Sequence, residues 1–325
     1  MADIRVGLIG IGGMGGCHYE NYKSAKGAKL VAVADVRFEM AQEKTKGTDV
    51  KVYADYKEML ANEELDMIDI CTPSFLHADM AIACLEAGYH VLCEKPMTLT
   101  ADEAQRVLEA TKRTDKNFMA AHVVRFMAPY VYLRSVIQSG ELGKLMRLDM
   151  KRISSIPTWS WEDWMRDESR SGGVITDLSI HDIDYVQSIL GMPDSISSYH
   201  YGLKNNNDFA QTEMVYGDTL VSCEGTWYNA PIPFHATYLA VFENGYVESS
   251  DKLYKNGKEV GVESTEKVSD VDLGINVGND NGYLNEIQYF IDCIHNGTKP
   301  TLVTPESSAQ TMTLVDKIKA VAKKL

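Results

Sequence analysis

Net positive charge, long apolar runs and closely paired cysteines are all missing from this chain, and each absence excludes a class of function. Acidic residues outnumber basic ones by 46 to 32, a formal net charge of −14. Such a chain repels nucleic acid and anionic membrane surfaces at long range, and no run of Lys and Arg marks a local basic patch. No apolar stretch approaches the roughly 20 residues of a membrane span. Among the six cysteines (Cys17, Cys71, Cys84, Cys93, Cys223, Cys293) no pair has the CxxC spacing of a zinc knuckle or thioredoxin-type site. Six are too few for a disulfide scaffold, so buried, reduced thiols are the ordinary expectation. With 9 prolines and 24 glycines the chain is neither proline-rich nor collagen-like. No basic leader or cleavage site precedes the first strand-like stretch, so a soluble, cytoplasmic protein is the simplest expectation. What remains is ordinary globular composition, 45% hydrophobic and 24% charged over 325 residues, enough for about two domains at roughly 150 residues each.

The first of these has a legible start. Ile4 to Ile9 is apolar and β-branched, and Gly10-Ile11-Gly12-Gly13-Met14-Gly15 follows in the pattern G-x-G-x-x-G. A helix-like stretch to Ala25 and a second strand, Leu30 to Ala34, come next, ending in Asp35. Strand, glycine loop, helix, strand and acid is the order of a dinucleotide site. Gly10 permits a tight turn, Gly12 lets a pyrophosphate approach the backbone, and Gly15 lets helix and sheet pack closely. The helix N-terminus offers N–H groups and partial positive charge to phosphate. Asp35, 20 residues after Gly15, is placed to accept from ribose hydroxyls, and its charge favours NAD over NADP. Arg37 leaves NADP open, because it is placed to stack on adenine or neutralise a phosphate.

Short helices and strands then alternate: helices over Met40–Lys46, Tyr56–Asn62 and from a capping Ser74 to Glu86, with strands at Val50–Tyr53, Met67–Cys71 and His90–Cys93. Alternation of this kind implies a parallel, doubly wound sheet. Glu94-Lys95-Pro96 leaves the last of these strands, where such sheets bind ligands. Thr100 to Glu103 fits a capping box for a helix through Lys112. From about Val123 the pattern changes to β-branched and aromatic stretches at Leu145–Ile153, Ser197–Leu203, Gln211–Tyr216, Thr219–Trp227, His235–Phe242 and Gly245–Ser250. Turns between them imply hairpins and an antiparallel sheet. Asp280–His295 and Pro305–Leu325 read as helices, one or both packing back on the first domain.

Between these lies Gly173 to Leu190, a helical stretch. At about 100° per residue, Asp177, His181, Asp184 and Ser188 share one face, and Asp177 and His181 form an i, i+4 pair. A solvated face, a metal site and a catalytic pair are the alternatives for this stripe, and no third metal ligand has convincing spacing. Asp182 falls within the apolar arc, with no explanation from sequence. Arg125 either faces a polar substrate or joins the domains. Trp159, Trp161 and Trp164 are either core or a platform for the C–H faces of a sugar ring.

Four motifs in order give the chain a family resemblance. They are GIGGMG with His18 three residues on, Cys71-Thr72-Pro73 with His77 four residues past the proline, Glu94-Lys95-Pro96, and Gly172-Gly173 leading to Asp177 and His181-Asp182-Ile183-Asp184. The chain resembles the Gfo/Idh/MocA oxidoreductases, the family of glucose–fructose oxidoreductase and inositol dehydrogenase. The resemblance implies an α/β Rossmann dinucleotide-binding domain over residues 1–122. An α+β domain with a large, mostly antiparallel open sheet follows over 123–325, for substrate binding and oligomerisation. It implies that Lys95 is the active-site lysine, before a cis proline, and that Asp177 and His181 lie beside the nicotinamide. Gly10, Gly12, Gly13, Met14, Gly15, Asp35, Arg37, Cys71, Thr72, Pro73, His77, Glu94 and Lys95 are then the cofactor-binding candidates. Lys95, Arg125, Trp159, Asp177 and His181 are the substrate-binding candidates, and no metal is expected.

The expected activity is hydride transfer between nicotinamide and a sugar or cyclic polyol, with His181 as base, Asp177 orienting it and Lys95 stabilising alkoxide. The last motif looks most like that of inositol dehydrogenases; aldoses, nucleotide-sugars and anhydro-sugars are the alternatives. A non-catalytic dinucleotide-binding sensor is the competing class, and it would not need Lys95, Asp177 and His181. The resemblance also implies a homodimer or homotetramer.

Overall fold

The computed structural model describes residues 2–261 and 281–325. The chain divides into two compact units, the first of Met1–His122 with Tyr283–Ala309 and the second beginning at Val123. In the first unit the order is β1 (Ile4–Ile9), α1 (Gly13–Tyr22), β2 (Ala28–Ala34), α2 (Phe38–Lys44), β3 (Lys51–Tyr53), α3 (Tyr56–Asn62), β4 (Met67–Ile70), α4 (His77–Glu86), β5 (His90–Glu94), α5 (Ala101–Lys112) and β6 (Phe118–Ala121). Their strands form a six-stranded sheet in the order β3-β2-β1-β4-β5-β6, parallel at every pairing. This is the doubly wound Rossmann order, in which chain direction across the sheet reverses beside β1.

The inner strands read as unbroken apolar runs because both of their faces are covered. Val6, Leu8, Met67, Ile68, Ile70, Val91 and Leu92 are all wholly buried. Helix α5 starts with the expected capping box: Glu103 N–H donates to Thr100 Oγ1, and Glu103 Oε2 accepts from the Thr100 N–H. Ser74 does not cap a helix as expected. It opens a short 3₁₀ turn, Ser74–Leu76, after Pro73, and α4 begins at His77.

The second unit contains α6 (Ala128–Ser139), β7 (Leu145–Ser155), α7 (Glu168–Ser171), α8 (Ile180–Leu190), β8 (Ser195–His200), β9 (Asp208–Tyr216), β10 (Thr219–Tyr228), β11 (His235–Phe242), β12 (Gly245–Ser249), β13 (Leu253–Lys255) and β14 (Lys258–Glu259). Beyond the undescribed stretch come α9 (Gly282–His295), α10 (Pro305–Val321) and β15 (Lys323–Lys324). The expected helix start at Asp280 lies outside the described residues. Nearly all of α9 belongs to the first unit, whereas α10 is divided between the two. The expected helix to Leu325 is shorter, because Lys323 and Lys324 pair with β8 and the Leu325 N–H donates to the His200 carbonyl.

The second sheet has nine strands in the order β14-β13-β12-β11-β7-β10-β9-β8-β15. It is mostly antiparallel, as the hairpin turns implied, but β7 and β10 pair in parallel, as do β15 and β8. Parallel neighbours need a crossover, and the chain from β7 to β10 supplies it through α8. Along β7, Leu148, Met150 and Arg152 are buried while Arg147 and Lys151 are exposed, the period-two pattern of a sheet with one covered face.

Arg152 on that covered face resolves the misplaced Asp182. Its guanidinium donates to Asp182 Oδ1 through Nε at 3.0 Å and to the Tyr130 hydroxyl through Nη2 at 3.0 Å. Both side chains of the ion pair are essentially solvent-free. Burial pushes the Asp182 carboxyl above its ordinary range, with the Arg152 charge opposing. Removing one member of such a pair strands the other charge, whereas an apolar pair of similar volume does not. Asp182→Ala is therefore expected to cost about 3–5 kcal/mol of stability, and Asp182→Leu with Arg152→Met to recover most of it, both measured by urea unfolding.

Candidate active site

The glycine loop sits where β1 hands over to α1, and its packing explains its composition. Gly10 has φ +85°, and a Cβ there would fall 2.6 Å from the Cys71 carbonyl oxygen. A Cβ on Gly15 would fall 1.9 Å from the Gly10 carbonyl oxygen. The first turn of α1 thus rides directly over the strand end, and only glycine allows that approach. No acidic side chain occupies this turn, so its partial positive charge is open to phosphate. The cradle fits a dinucleotide pyrophosphate.

Asp35, at the end of β2, binds the loop itself. Its Oδ2 accepts from the Ile11 N–H at 2.9 Å, and its Oδ1 accepts from the Arg37 N–H at 2.9 Å. The Arg37 guanidinium folds back on the same carboxylate, at 3.2 Å from each oxygen. Asp35 is therefore partly neutralised, which weakens the charge argument against a 2′-phosphate. Lys44, which sequence reasoning missed, donates from Nζ to the Ile11 and Gly12 carbonyls at 2.8 and 3.1 Å. Burial, with the neighbouring Arg37 charge, lowers its pKa. Nothing in the sequence singles Lys44 out, because it reaches the loop from a different helix.

Because β1, β4 and β5 are parallel neighbours, the residues after each leave on the same edge of the sheet. Gly10, Cys71-Thr72-Pro73 and Lys95-Pro96 are brought together in this way. The Lys95–Pro96 peptide is cis, and Lys95 is half-buried. His77 ties two of these loops together, its Nδ1 lying 2.7 Å from the Pro96 carbonyl oxygen and its Nε2 2.8 Å from that of Thr72. It is buried, and burial holds its pKa below the ordinary histidine value. Gly12, Gly13 and Met14 are half-buried, as are Cys71, Thr72 and Pro73, whereas Glu94 is buried.

In the second unit Gly172 and Gly173 take positive φ, and the expected regular helix begins instead as a wide π-type turn, Ile175–Ser179, that runs into α8. Such turns insert an extra residue and are frequent at functional sites. This one presses on β10 where Gly225 has no side chain; a Cβ there would lie 1.8 Å from Ser179 Oγ. Asp177 sits in the turn and His181 in the first turn of α8, at 6% and 3% exposure. The stripe is therefore not a solvated face. Asp184 is wholly buried and grips Arg125 bidentately, at 2.8 and 2.6 Å, with the Thr311 hydroxyl donating to the same carboxylate at 2.9 Å. Arg125, for which a polar substrate and a joining role were the alternatives, is 2% exposed, and its guanidinium is held by this internal pair. Trp159 is exposed, and Trp161 and Trp164 are half-buried, so none of the three is core. All six cysteines are free thiols and all but Cys71 are buried, with burial pushing Cys17 up to about 11 and Cys84 up to about 12.

Strand order, glycine cradle and an acid at the end of β2 define the first unit as a Rossmann-type dinucleotide-binding domain. Residues 4–122 match the family model described as an oxidoreductase family with an NAD-binding Rossmann fold, and residues 130–248 match the GFO/IDH/MocA C-terminal domain. The chain belongs to the Gfo/Idh/MocA oxidoreductase family. It is 32% identical over 191 residues to myo-inositol 2-dehydrogenase of Thermotoga maritima, covering 58% of this chain and 55% of that protein. It is 29% identical over 166 residues to D-glucoside 3-dehydrogenase of Escherichia coli, covering 51% and 47%. The matched stretch thus spans about half the length of these curated relatives. Among solved structures, levoglucosan dehydrogenase in complex with NADH superposes with a TM-score of 0.83 at 23% identity, over 98% of this chain and 97% of that one. Myo-inositol 2-dehydrogenase from Lactobacillus plantarum gives 0.81 at 21% identity, over the same shares. At these identities the likeness is one of fold.

The Gly15 contact makes a direct prediction. Gly15→Ala must push α1 off the Gly10 carbonyl, which is backbone and cannot rotate away. NADH binding, followed by fluorescence titration, is expected to weaken at least about tenfold, equivalent to about 1.4 kcal/mol.

Proposed function

We propose that this chain is a cytoplasmic dehydrogenase moving a hydride between a carbon of a sugar or cyclic polyol and nicotinamide, with NAD as its main cofactor. The observation that carries this reading is the sheet edge of the first unit. There parallel β1 and β5 deliver the glycine cradle and Lys95 to one side. The names of the relatives, inositol and glucoside dehydrogenases, support the substrate class, and myo-inositol is the first candidate. No described helix is long and apolar enough to cross a membrane.

When bound, the nicotinamide supplies the hydride acceptor. Gly10 to Gly15 hold the pyrophosphate, and Asp35, with Arg37 beside it, meets the adenosine ribose. Oxidising an alcohol releases a proton as the hydride leaves. His181 accepts that proton, and Asp177 orients the imidazole and stabilises its cation. Lys95 hydrogen-bonds the reacting oxygen and stabilises developing alkoxide charge. Lys95 and His181 exchange these roles if their proton affinities are reversed. The exposed ring of Trp159 is a candidate surface for the C–H face of the substrate. The assembly is a homodimer or homotetramer, to be read from sedimentation.

The test is reduction of NAD and NADP by the purified protein with myo-inositol, scyllo-inositol, glucose, galactose, xylose, levoglucosan and a UDP-sugar. Turnover of one polyol, abolished in His181→Ala, is the expected result. Lys95→Ala should lower kcat by roughly 100-fold or more while NADH still binds; loss of NADH binding along with turnover would refute the role given to Lys95. NADH binding without turnover of any substrate would favour a dinucleotide sensor instead.

A further inference from the structure

One motif residue, His18, has no part in the reaction outlined above, yet it stands at the centre of a buried cluster of charged groups in the first unit. It lies on α1 one turn beyond Gly15 and is wholly buried. Nδ1 is 2.8 Å from Asp69 Oδ2 on β4, and Nε2 is 3.1 Å from Glu94 Oε1 at the end of β5. The Tyr22 hydroxyl donates to the same Asp69 oxygen at 2.8 Å. The other oxygen of Glu94, Oε2, accepts the backbone N–H of Lys95 at 2.9 Å. A third carboxyl arrives from α9: Glu286 is wholly buried and offers an oxygen within 4.8 Å of both His18 and Glu94.

Ionised carboxylates only accept hydrogen bonds, so a ring gripped by one at each nitrogen must carry a proton on both. Burial works most strongly against that charge, but the Asp69 charge and the hydrogen bonds around the ring together raise the pKa of His18 well above the ordinary value. Burial and the neighbouring Glu94 push Glu286 the opposite way in charge, toward its neutral acid. Cys17, Cys71, Cys93 and Tyr283 also face the cluster, and burial keeps all four neutral; His77 and Lys95 lie near Glu94 and favour its charged form. The cluster is then one imidazolium between two carboxylates, joined to Lys95 through one backbone hydrogen bond.

We propose that His18 is a positioning residue for Lys95: clamped between Asp69 and Glu94, it fixes the Glu94 carboxylate, which in turn fixes the main chain at Lys95. This rests on the reading of Lys95 as the group that meets the reacting oxygen. Charge-assisted bonds of this kind are short and directional, and misplacing a catalytic group by about 1 Å can cost about 100-fold in rate. His18→Gln cannot donate to both carboxylates at once, since its amide oxygen only accepts. The spacing of His18, Glu94 and Glu286 would also suit a divalent cation, in which case Nε2 would be a ligand and not a donor to Glu94.

The test combines kinetics with histidine nitrogen NMR on the intact protein. In His18→Gln, kcat for the polyol identified by the panel should fall roughly 10- to 100-fold, with KM and NADH affinity changed less than about threefold, and Glu94→Gln should lower kcat by a similar factor. In the wild type, one of the eight histidines should keep both ring nitrogens protonated above the ordinary histidine pKa of about 6.5, and its signal should shift in Glu94→Gln. The spectrum needs no folded variant. A singly protonated His18 at pH 7, or a wild-type kcat in His18→Gln, would overturn the proposal. So would a stoichiometric metal ion found by elemental analysis and lost in His18→Gln, because His18 would then be a ligand. Lys95→Ala run in parallel separates the two readings. If it retains turnover, the role of Lys95 itself fails; if it loses turnover while His18→Gln does not, only the positioning role fails.

Discussion

The approach of α1 to the end of β1 is the constraint on which the first unit depends. With a Cβ at Gly15 lying 1.9 Å from the Gly10 carbonyl oxygen, the helix is seated on the strand without any side chain between them. That seating aims the first turn of α1 at the sheet edge and lets Asp35 reach the Ile11 N–H. It also sets the height of His18, one turn further on, opposite Asp69 and Glu94. A single close contact therefore organises both the phosphate cradle and the buried clamp behind Lys95.

The second unit is organised by buried charge. Arg152 binds Asp182 and Arg125 binds Asp184, and all four side chains are almost solvent-free. Buried pairs add little net stability over apolar residues of the same size, because desolvation offsets much of the Coulomb attraction. What they do is penalise other arrangements, since a rotated or shifted α8 would strand two guanidinium groups. The π-type turn before α8 is set against Gly225, and the pairs hold the helix that follows. Asp177 and His181 are thus carried on an element fixed at both ends.

Much of this was legible residue by residue. The glycine loop, Asp35, the capping box at Thr100 and the hairpin strands around Tyr216-Gly217-Asp218 each announce themselves through local chemistry: a required φ, a cap, a period of two. Features that depend on distant partners were not legible. Ser74 looks like a helix cap but follows Pro73 into a 3₁₀ turn. Asp182 looked out of place on an apolar arc until Arg152 was seen beside it. Arg125 could be read as facing substrate or as joining the domains, and its ion pair with Asp184 has no sequence signal. The parallel pairing of β7 with β10 has no sequence signal, because each strand is compatible with either direction.

By itself, the sequence determined the family and the class of fold, because glycine turns, strand periods and short motifs act over a few residues. Tertiary structure alone decided which charges meet. His18 is 51 residues from Asp69 and 76 from Glu94, and Arg125 is 59 from Asp184. An ion pair at such separations forms only after the sheets and helices have packed, and its charges are then held in a dry interior where few alternatives exist.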